Sequence, residues 1–254
     1  MAITIKSERE IELMAEAGKI LERVHNELEK ALHPGMSTKD IDTLGEEIIR
    51  SYGCIPSFLN YNGYPASICV SVNQEVVHGI PDKHRIIHEG DIVSLDAGLI
   101  YKGYHSDAAR THAVGEVSEE AKKLIQVTKE CFFEGIKYAK AGNHLFDISG
   151  VIGRYAEERG YGVVRDLCGH GIGTALHEAP EIPNYEVGRK GVKLRPGMTL
   201  AIEPMINIGT YEVDWLDDDW TVVTRDGSLS AHYENTILIT EGEPRILSLT
   251  CDNE

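Results

Sequence analysis

The sequence contains little cysteine, and its cysteines are not arranged for pairing. Five cysteines are scattered singly along the chain, without a Cys-x-x-Cys pair: Cys54, Cys69, Cys131, Cys168 and Cys251. An odd number without a regular spacing argues against a disulfide framework and against a cysteine-ligated zinc site. This usage is typical of a reducing compartment, and we therefore expect a cytoplasmic protein.

Long hydrophobic runs and positive charge are also scarce. A run of about eighteen apolar residues, enough for a membrane span, occurs nowhere, and the start, MAITIKSERE, does not resemble a signal peptide. Lys and Arg number 25 against 41 Asp and Glu, which gives a formal net charge of −16. That charge repels nucleic-acid phosphates and anionic lipids, so we expect neither nucleic acid nor a membrane as a partner.

The periodicity of apolar residues predicts helices and strands in alternating groups. A capping box at Ser7 to Glu10 begins the first of four predicted helices. The second runs through Ile41 and Ile48 and stops near Gly53, and two more contain residues 124–135 and 145–155. Predicted strands are SICVSV (67–72), DIVSL (91–95), a return strand through Asp107, TLAIEPMINI (199–208) and NTILIT (235–240).

Element order and residue identity both repeat along the chain. A constant shift of 107 residues aligns Gly35 with Gly142, Asp40 with Asp147, Ile41 with Ile148, Gly53 with Gly160, Gly90 with Gly197, and Asp96 with Glu203. An ordered set of this kind predicts two related halves, about 1–117 and 118–254, packed about an approximate twofold axis. No linker separates the halves, so we expect one domain over residues 1–254.

Acidic residues interrupt apolar strand patterns at several points. A two-residue turn at Tyr101 and Lys102 would place Asp96 directly opposite Asp107 in a hairpin. Two like charges drawn out of water are destabilising, so they need either a shared proton or a cation. Glu203 and Glu234 are further lone acids in strand-like sequence. Four converging carboxylates favour divalent cations, because one shared proton would leave most of the charge uncompensated.

Histidines near these acids are the candidate nitrogen ligands. His170 is framed by glycines in DLCGHGIGTALHEAP, which lets the backbone turn and present the imidazole, and His177 follows seven residues later. Oxygen ligands with one imidazole suit manganese, iron, cobalt or zinc. His105 and His232 share strand faces with Asp107 and Glu234, and either could support the ligands through hydrogen bonds.

The ordered set of Asp96, Asp107, His170, Glu203 and Glu234, with HGIP at 78–81 and GHGIGTALHEAP at 169–180, resembles the type I methionine aminopeptidase family. The resemblance runs from about residue 7 to 249. It implies an α+β pita-bread fold, in which two αβ halves related by a pseudo-twofold axis surround a central curved antiparallel sheet. It also implies a bacterial-type metallo-exopeptidase, a hydrolase that excises N-terminal methionine.

The resemblance further implies two divalent ions and a role for each ligand. Asp96 would hold one ion and His170 the other, while Asp107 and Glu234 would bridge both. Glu203 would complete the His170 side and act as the proton shuttle. A hydroxide bridging the two ions would be the nucleophile that attacks the first peptide bond.

Substrate contacts follow from the same resemblance. His177 would stabilise the oxyanion, and His78 would contact the substrate amide or protonate the leaving nitrogen. Six positions match the methionine pocket: Phe58, Tyr61, Tyr64, Cys69 and Trp220, with Leu176 at its border. Many relatives carry a smaller residue at Phe58 and an aromatic one at Leu176. A monovalent cation site would fall near Asn73, Glu75 and Ser230.

Expected substrates are N-terminal Met peptides and nascent chains, handled by a monomer that could work at the ribosome. Some bacterial relatives dock there through a basic loop, but the matching segment 210–220 is acidic here, and the basic stretch 188–195 is more typical of solvated surface. Two alternatives stay open: a proline-specific aminopeptidase or dipeptidase of the same fold, or a pita-bread binding protein without catalysis. The first usually carries an extra N-terminal domain, and the second usually lacks one of the five ligands.

Overall fold

A computed structural model describes residues 3–249, so Cys251 and both extreme ends of the expected domain lie outside the described residues. Four α-helices are present in this range: α1 (Glu8–Ala31), α2 (Thr38–Ser51), α3 (Glu119–Ile136) and α4 (Leu145–Glu157). All four were predicted. None of these helices is both long enough and apolar enough to cross a bilayer.

The first helix begins as the sequence predicts. The Ser7 hydroxyl accepts from the Glu10 backbone N–H, and the Glu10 carboxylate accepts from the Ser7 backbone N–H at 2.7 Å. This reciprocal pair satisfies two donors that the first turn would otherwise leave open, which confirms the capping box. The second helix ends at Ser51, and Gly53 then reverses the chain at a φ of 71°.

Fifteen strands lie in the described residues. They are β1 (Ile55–Pro56), β2 (Ile68–Val72), β3 (Glu75–Val77), β4 (Ile92–Tyr101), β5 (Tyr104–Ala113), β6 (Gly162–Val163), β7 (Gly169–Gly171), β8 (Glu178–Ile182), β9 (Thr199–Ile202), β10 (Met205–Asn207), β11 (Val213–Trp215), β12 (Val222–Thr224), β13 (Ser230–His232), β14 (Glu234–Leu238) and β15 (Arg245–Ile246).

These strands form one large sheet and two small ones. The nine-stranded sheet has the order β1-β4-β5-β14-β9-β7-β8, with β2 also paired to β4 and β15 to β14. The three-stranded sheets have the orders β13-β10-β6 and β11-β12-β3. All the recorded strand pairings are antiparallel.

One predicted strand is in fact two. The run 199–208 breaks after Ile202, and its parts belong to different sheets, β9 to the large sheet and β10 to a small one. Pro204 explains the break, because it has no N–H to donate to a strand ladder. The break matters for the site, because Glu203 lies between the two strands and is free of both ladders.

The hairpin between β4 and β5 turns one residue later than predicted. Tyr101 pairs with Tyr104, so Lys102 and Gly103 are the turn residues, at φ values of 49° and 88°. A two-residue hairpin turn with two positive φ angles favours glycine at its second position, which sets the turn on this pair. The predicted turn at Tyr101 and Lys102 was therefore wrong.

The later turn shifts the strand register by two residues. Asp96 pairs with Ala109, and Asp107 pairs with Gly98, so the two acids are diagonal neighbours and not a direct pair. A shift of two keeps every side chain on the same face, because the strand period is two. Asp96 and Asp107 therefore still share one face of the sheet.

The two halves are built alike at several matched positions. The Gly35 N–H donates to the Ile87 carbonyl at 2.9 Å, and 107 residues later the Gly142 N–H donates to the Leu194 carbonyl at 3.0 Å. The two glycines have φ angles of 96° and 95°. The first pair of helices contributes to one apolar cluster and the second pair to another. These correspondences support internal duplication, which stays a prediction.

Helix α1 packs closely against the backbone near the end of the chain. A Cβ atom added at Gly18 would lie 1.9 Å from the Leu247 carbonyl oxygen. We expect Gly18→Ala to destabilise the protein by about 1–3 kcal/mol, measured by urea unfolding, because backbone cannot move aside cheaply. Gly150→Ala in α4 is the matched control, since its Cβ would meet only the flexible Arg154 side chain. There we expect a gain of up to about 1 kcal/mol. Equal effects would contradict this account of the packing.

Candidate metal centre and active site

Four of the five predicted ligands lie in strands of the large sheet, and the fifth directly follows a strand of that sheet. Asp96 is in β4, Asp107 in β5, Glu234 begins β14, Glu203 directly follows β9, and His170 is in β7. The order of these strands in the sheet is β4-β5-β14-β9-β7. Residues that are up to 138 positions apart in the chain are thus brought to one row.

Distances show that the side chains converge. His170 Nε2 lies 3.8 Å from Asp107 Oδ2 and 3.6 Å from Glu203 Oε1. One ligand atom each from Asp107, His170 and Glu234 fall within 4.8 Å of one another, and all three residues are buried. Asp96 lines the same cavity as the other four residues and is a diagonal neighbour of Asp107 on one face of the sheet. The structure therefore brings all five predicted residues together.

The carboxylates of this cluster are poorly compensated by the protein itself. Buried oxygens of Asp96 (Oδ1), Asp107 (Oδ1) and Glu234 (Oε1) have no hydrogen-bond partner among the described residues. Burial raises the pKa of Asp96 to about 7. The pKa values of Asp107, Glu203 and Glu234 lie well above their ordinary range. Burial is the main cause, and repulsion by the neighbouring acids is the second. Acids held in this way need protons or cations.

His170 is oriented to offer a free nitrogen to the acids. Its Nδ1 lies 2.9 Å from the Gly171 carbonyl oxygen, and because a carbonyl can only accept, Nδ1 carries the ring proton. Burial lowers the pKa of His170 to about 3, so the ring is neutral. The lone pair is then on Nε2, which faces Asp107 and Glu203. This donor set, carboxylate oxygens with one neutral imidazole nitrogen, fits divalent first-row metals.

His177 and His78 both line the cavity beside the cluster. The His177 ring lies 4.2 Å from the His170 ring, edge to face, and its Nδ1 is 2.8 Å from the Tyr61 hydroxyl. His78 adopts a φ of 60°, which is unusual for a residue with a side chain. Burial, and to a smaller extent the nearby imidazole of His177, lowers the pKa of His78 to about 4. Both imidazoles are therefore placed to contact a molecule bound in the cavity.

The cavity has a volume of about 790 Å³ and opens next to the carboxylates. All six residues predicted for the methionine pocket line it: Phe58, Tyr61, Tyr64, Cys69, Leu176 and Trp220. The Tyr64 hydroxyl donates to the Gly79 carbonyl at 2.9 Å, and its ring packs edge-on against Trp220 at 5.1 Å. One end of the cavity is thus an aromatic wall suited to an apolar side chain.

Sequence reasoning missed several residues of the cavity. Val77 and Met205 add apolar lining, and Phe146, Asp166 and Arg189 also line the cavity. Val77 and Met205 were open to detection, since each lies within two positions of a predicted site residue. Arg189 belongs to the basic stretch assigned to solvated surface, and nothing in the local pattern relates it to the carboxylates.

Two histidines, His105 and His232, were predicted as possible supports for the ligands, and only His232 faces the acids. His105 Nδ1 is hydrogen-bonded to the Ser57 hydroxyl at 2.9 Å, whereas His232 Nε2 faces Glu203 and Glu234 at 3.9 Å each.

The residues predicted for a monovalent cation site are partly in contact, since the Ser230 N–H donates to the Asn73 carbonyl at 2.9 Å.

The acid expected at that cation site is already paired. The Glu75 carboxylate forms a salt bridge with Arg85 and also accepts from the Val72 N–H at 2.8 Å. A carboxylate neutralised by a guanidinium has little charge left for a bound ion. A monovalent cation near Asn73, Glu75 and Ser230 stays a prediction.

Comparison with known proteins decides the family. A model of metallopeptidase family M24 matches residues 12–241. The chain belongs to metallopeptidase family M24. It is 59% identical to a methionine aminopeptidase of Clostridium acetobutylicum, over 97% of this chain and 99% of that protein. The crystal structure of methionine aminopeptidase from Thermotoga maritima is similar, with a TM-score of 0.96 and 47% identity. The match covers 98% of this chain and 100% of that one.

Membership of family M24 confirms the α+β pita-bread fold and shows that the chain is a metallopeptidase, a hydrolase that uses divalent metal. The proline-specific branch of the fold is more distant. Xaa-Pro dipeptidase from Bacillus anthracis matches at a TM-score of 0.77 and 27% identity, over 97% of this chain but only 62% of that one. Similarity in sequence and in coverage therefore favours the methionine aminopeptidases.

Proposed function

We propose that the protein removes methionine from the N-terminus of peptides and nascent chains in the cytoplasm, and acts as a monomer. One observation carries the proposal: four carboxylates, three of them with an unpartnered buried oxygen, and a neutral imidazole line one aromatic-walled cavity. The metal cluster supports hydrolysis, and the cavity supports selection of an apolar side chain. Similarity to methionine aminopeptidases at up to 59% identity supports the substrate class.

The residues fit two divalent ions from the group of cobalt, manganese, iron and zinc. Asp96 would hold one ion, His170 with Glu203 the other, and Asp107 and Glu234 both. When bound, such ions polarise a peptide carbonyl and make a nucleophile available near neutral pH. The unpartnered oxygens of Asp96, Asp107 and Glu234 are the atoms that support this assignment.

Proton transfer falls to Glu203. Its raised pKa suits a carboxylate that accepts a proton from the attacking water and delivers it to the leaving nitrogen. The side chain is 14% exposed, which gives it access to the cavity, whereas the Glu234 side chain is only 2% exposed. Glu203 is therefore more accessible than Glu234 to a substrate in the cavity.

The two cavity histidines bind the scissile amide. With Nδ1 of His177 accepting from the Tyr61 hydroxyl, Nε2 carries the ring proton and can donate to the carbonyl oxygen as negative charge develops on it. His78 is held close to Trp220, with ring centroids 6.2 Å apart, and can contact the amide nitrogen. Both residues are neutral near pH 7 because burial lowers their pKa values.

Restriction to the first residue follows from the same arrangement. The thioether of methionine would lie among Phe58, Tyr64, Cys69 and Trp220, which places its free α-amine beside the Asp96 end of the acid row. An acetylated or internal residue has no such amine, so it lacks the charge-assisted contact with the acids. The geometry therefore favours an exopeptidase.

The test is a peptide panel with metal-stripped protein reloaded with manganese or cobalt. We expect release of Met from Met-Gly and Met-Ala peptides, and at least about 100-fold slower cleavage of their N-acetylated forms, because the amine contact is lost. Ala-Pro peptides serve as the matched control for the proline-specific alternative. Faster cleavage of Ala-Pro than of Met-Ala would replace the proposal with that alternative, and absence of any cleavage with any metal would support a binding protein.

A further inference from the structure

His232 is a buried histidine whose ring nitrogens are unsatisfied. It ends β13, its side chain is 2% exposed, and neither Nδ1 nor Nε2 has a hydrogen-bond partner among the described residues. A neutral imidazole always carries one N–H, and a buried donor without an acceptor costs about 1–3 kcal/mol. Such a group is expected to have a use in the site that it faces.

The ring faces two members of the acid cluster. Nε2 lies 3.9 Å from Glu203 Oε2 and 3.9 Å from Glu234 Oε2. Both separations exceed a hydrogen bond, but a shortening of about 1 Å reaches hydrogen-bonding distance. The ring proton therefore belongs on Nε2, where an acceptor can be reached.

Of these two acids, Glu203 is the one whose backbone is not fixed by a strand ladder. Its side chain lies between two imidazoles, with Oε1 3.6 Å from His170 Nε2 and Oε2 3.9 Å from His232 Nε2. Glu203 follows β9 and precedes Pro204, so neither strand ladder includes it. Glu234, by contrast, is the first residue of β14 and is paired with Ala109 of β5.

We infer that His232 is a positioning residue that donates from Nε2 to Glu203 Oε2 and so keeps Oε1 on the His170 side. The inference rests on the proposed metal centre and extends it to a histidine outside the five-ligand set. His232 acts on the metal only through Glu203. Its loss should weaken the ion shared by His170 and Glu203 more than the ion held by Asp96.

Two substitutions of His232 separate the effect of losing its N–H donor from the effect of changing its side-chain volume. His232→Leu keeps an apolar group of similar size without an N–H, and His232→Gln keeps an N–H donor. We expect His232→Leu to weaken binding of the manganese ion shared by His170 and Glu203 about 10- to 100-fold, the usual effect of removing a group that orients a ligand. His232→Gln should stay close to wild type. Isothermal titration of metal-stripped protein measures both.

His105→Leu is the matched control, because His105 is also a buried histidine, close to Glu178, but is hydrogen-bonded to Ser57. Its manganese affinities should match those of the wild type. Unchanged affinity in His232→Leu, or equal weakening in His232→Gln and His232→Leu, would overturn the inference. If wild-type protein itself binds no divalent ion, the proposed function fails instead.

The cobalt-loaded wild type gives an independent readout that needs no variant. Each imidazole bound to paramagnetic cobalt contributes an exchangeable, strongly shifted N–H proton resonance. We expect one such resonance, from His170, because His232 bonds a carboxylate and not the metal. Two such resonances would make His232 a ligand and overturn the positioning role. Nitrogen-15 shifts of His232 should report the proton on Nε2, and a proton on Nδ1 would contradict the inference.

Discussion

Asp107→Asn is expected to lose at least one of two bound divalent ions and to lower kcat/KM for Met-Ala peptides by more than about 100-fold. The reason is that Asp107 is 4% exposed, lies 3.8 Å from His170 Nε2, and has an unpartnered Oδ1 that an amide cannot replace as an anionic ligand. Elemental analysis of dialysed protein and steady-state kinetics measure the two effects. Glu234→Gln should behave in the same way.

Asp166→Asn is the matched control for this substitution. Asp166 also lines the cavity, yet it is exposed and outside the converging group of acids. Its variant should bind the same number of ions as the wild type. A fully metallated Asp107→Asn protein would refute the bridging role proposed for that residue.

Metal-free protein should lose stability as the pH rises from 7 to 8.5. Asp107, Glu203 and Glu234 have folded-state pKa values well above those of the unfolded chain, so the folded state retains protons that the unfolded state has already released. The pKa of Asp96 is about 7, so Asp96 releases its own proton at the start of this window. Stability then falls with rising pH, by about 1.4 kcal/mol per pH unit for each proton retained. Urea unfolding after chelation, at several pH values, measures the slope.

Other titrating groups limit the pH range in which the acid cluster dominates the stability. Buried histidines such as His25 have lowered pKa values, so below pH 6.5 their protonation in the unfolded state opposes the effect. Buried thiols, including Cys69, have raised pKa values and act in the same direction as the acids near pH 9. Between these limits the acid cluster dominates the dependence.

Divalent metal should stabilise the protein more at pH 8.5 than at pH 7, because ions replace the protons of the cluster. An ion present at 100 times its dissociation constant adds about 2.7 kcal/mol. In the metal-free state, Glu234→Gln should reduce the pH slope, since it removes one of the coupled acids. A chelated protein whose stability does not change with pH across this window, or does not respond to metal, would contradict the electrostatic account of the site.

The candidate ligands could be predicted from the sequence because each one breaks a local pattern. Asp96 ends an apolar run, Glu203 and Glu234 interrupt others, and His170 is framed by glycines. An acid inside a strand pattern has a high desolvation cost wherever that strand packs, so its unusual character is visible without knowing its neighbours. The helices were equally accessible, since capping at Ser7 and apolar spacing are local properties.

The prediction from the sequence was wrong where it depended on the exact pairing of two strands. The hairpin turn was placed one residue early, because Tyr101-Lys102 and Lys102-Gly103 both permit a turn and only the requirement for two positive φ angles separates them. The alternation of side chains protected the conclusion, since a two-residue shift left Asp96 and Asp107 on one face. Phe146, Asp166 and Arg189, which also line the cavity, had no local signal in the sequence.

By itself, the sequence determined which residues carry charge in apolar surroundings, which faces of the strands they occupy, and where the helices begin. Only the tertiary structure decided that β4, β5, β14, β9 and β7 lie side by side in that order, which places Glu203 between His170 and His232. The physical reason is range: side-chain direction follows from the backbone within a few residues, whereas the distance between two side chains depends on how remote strands pair and pack.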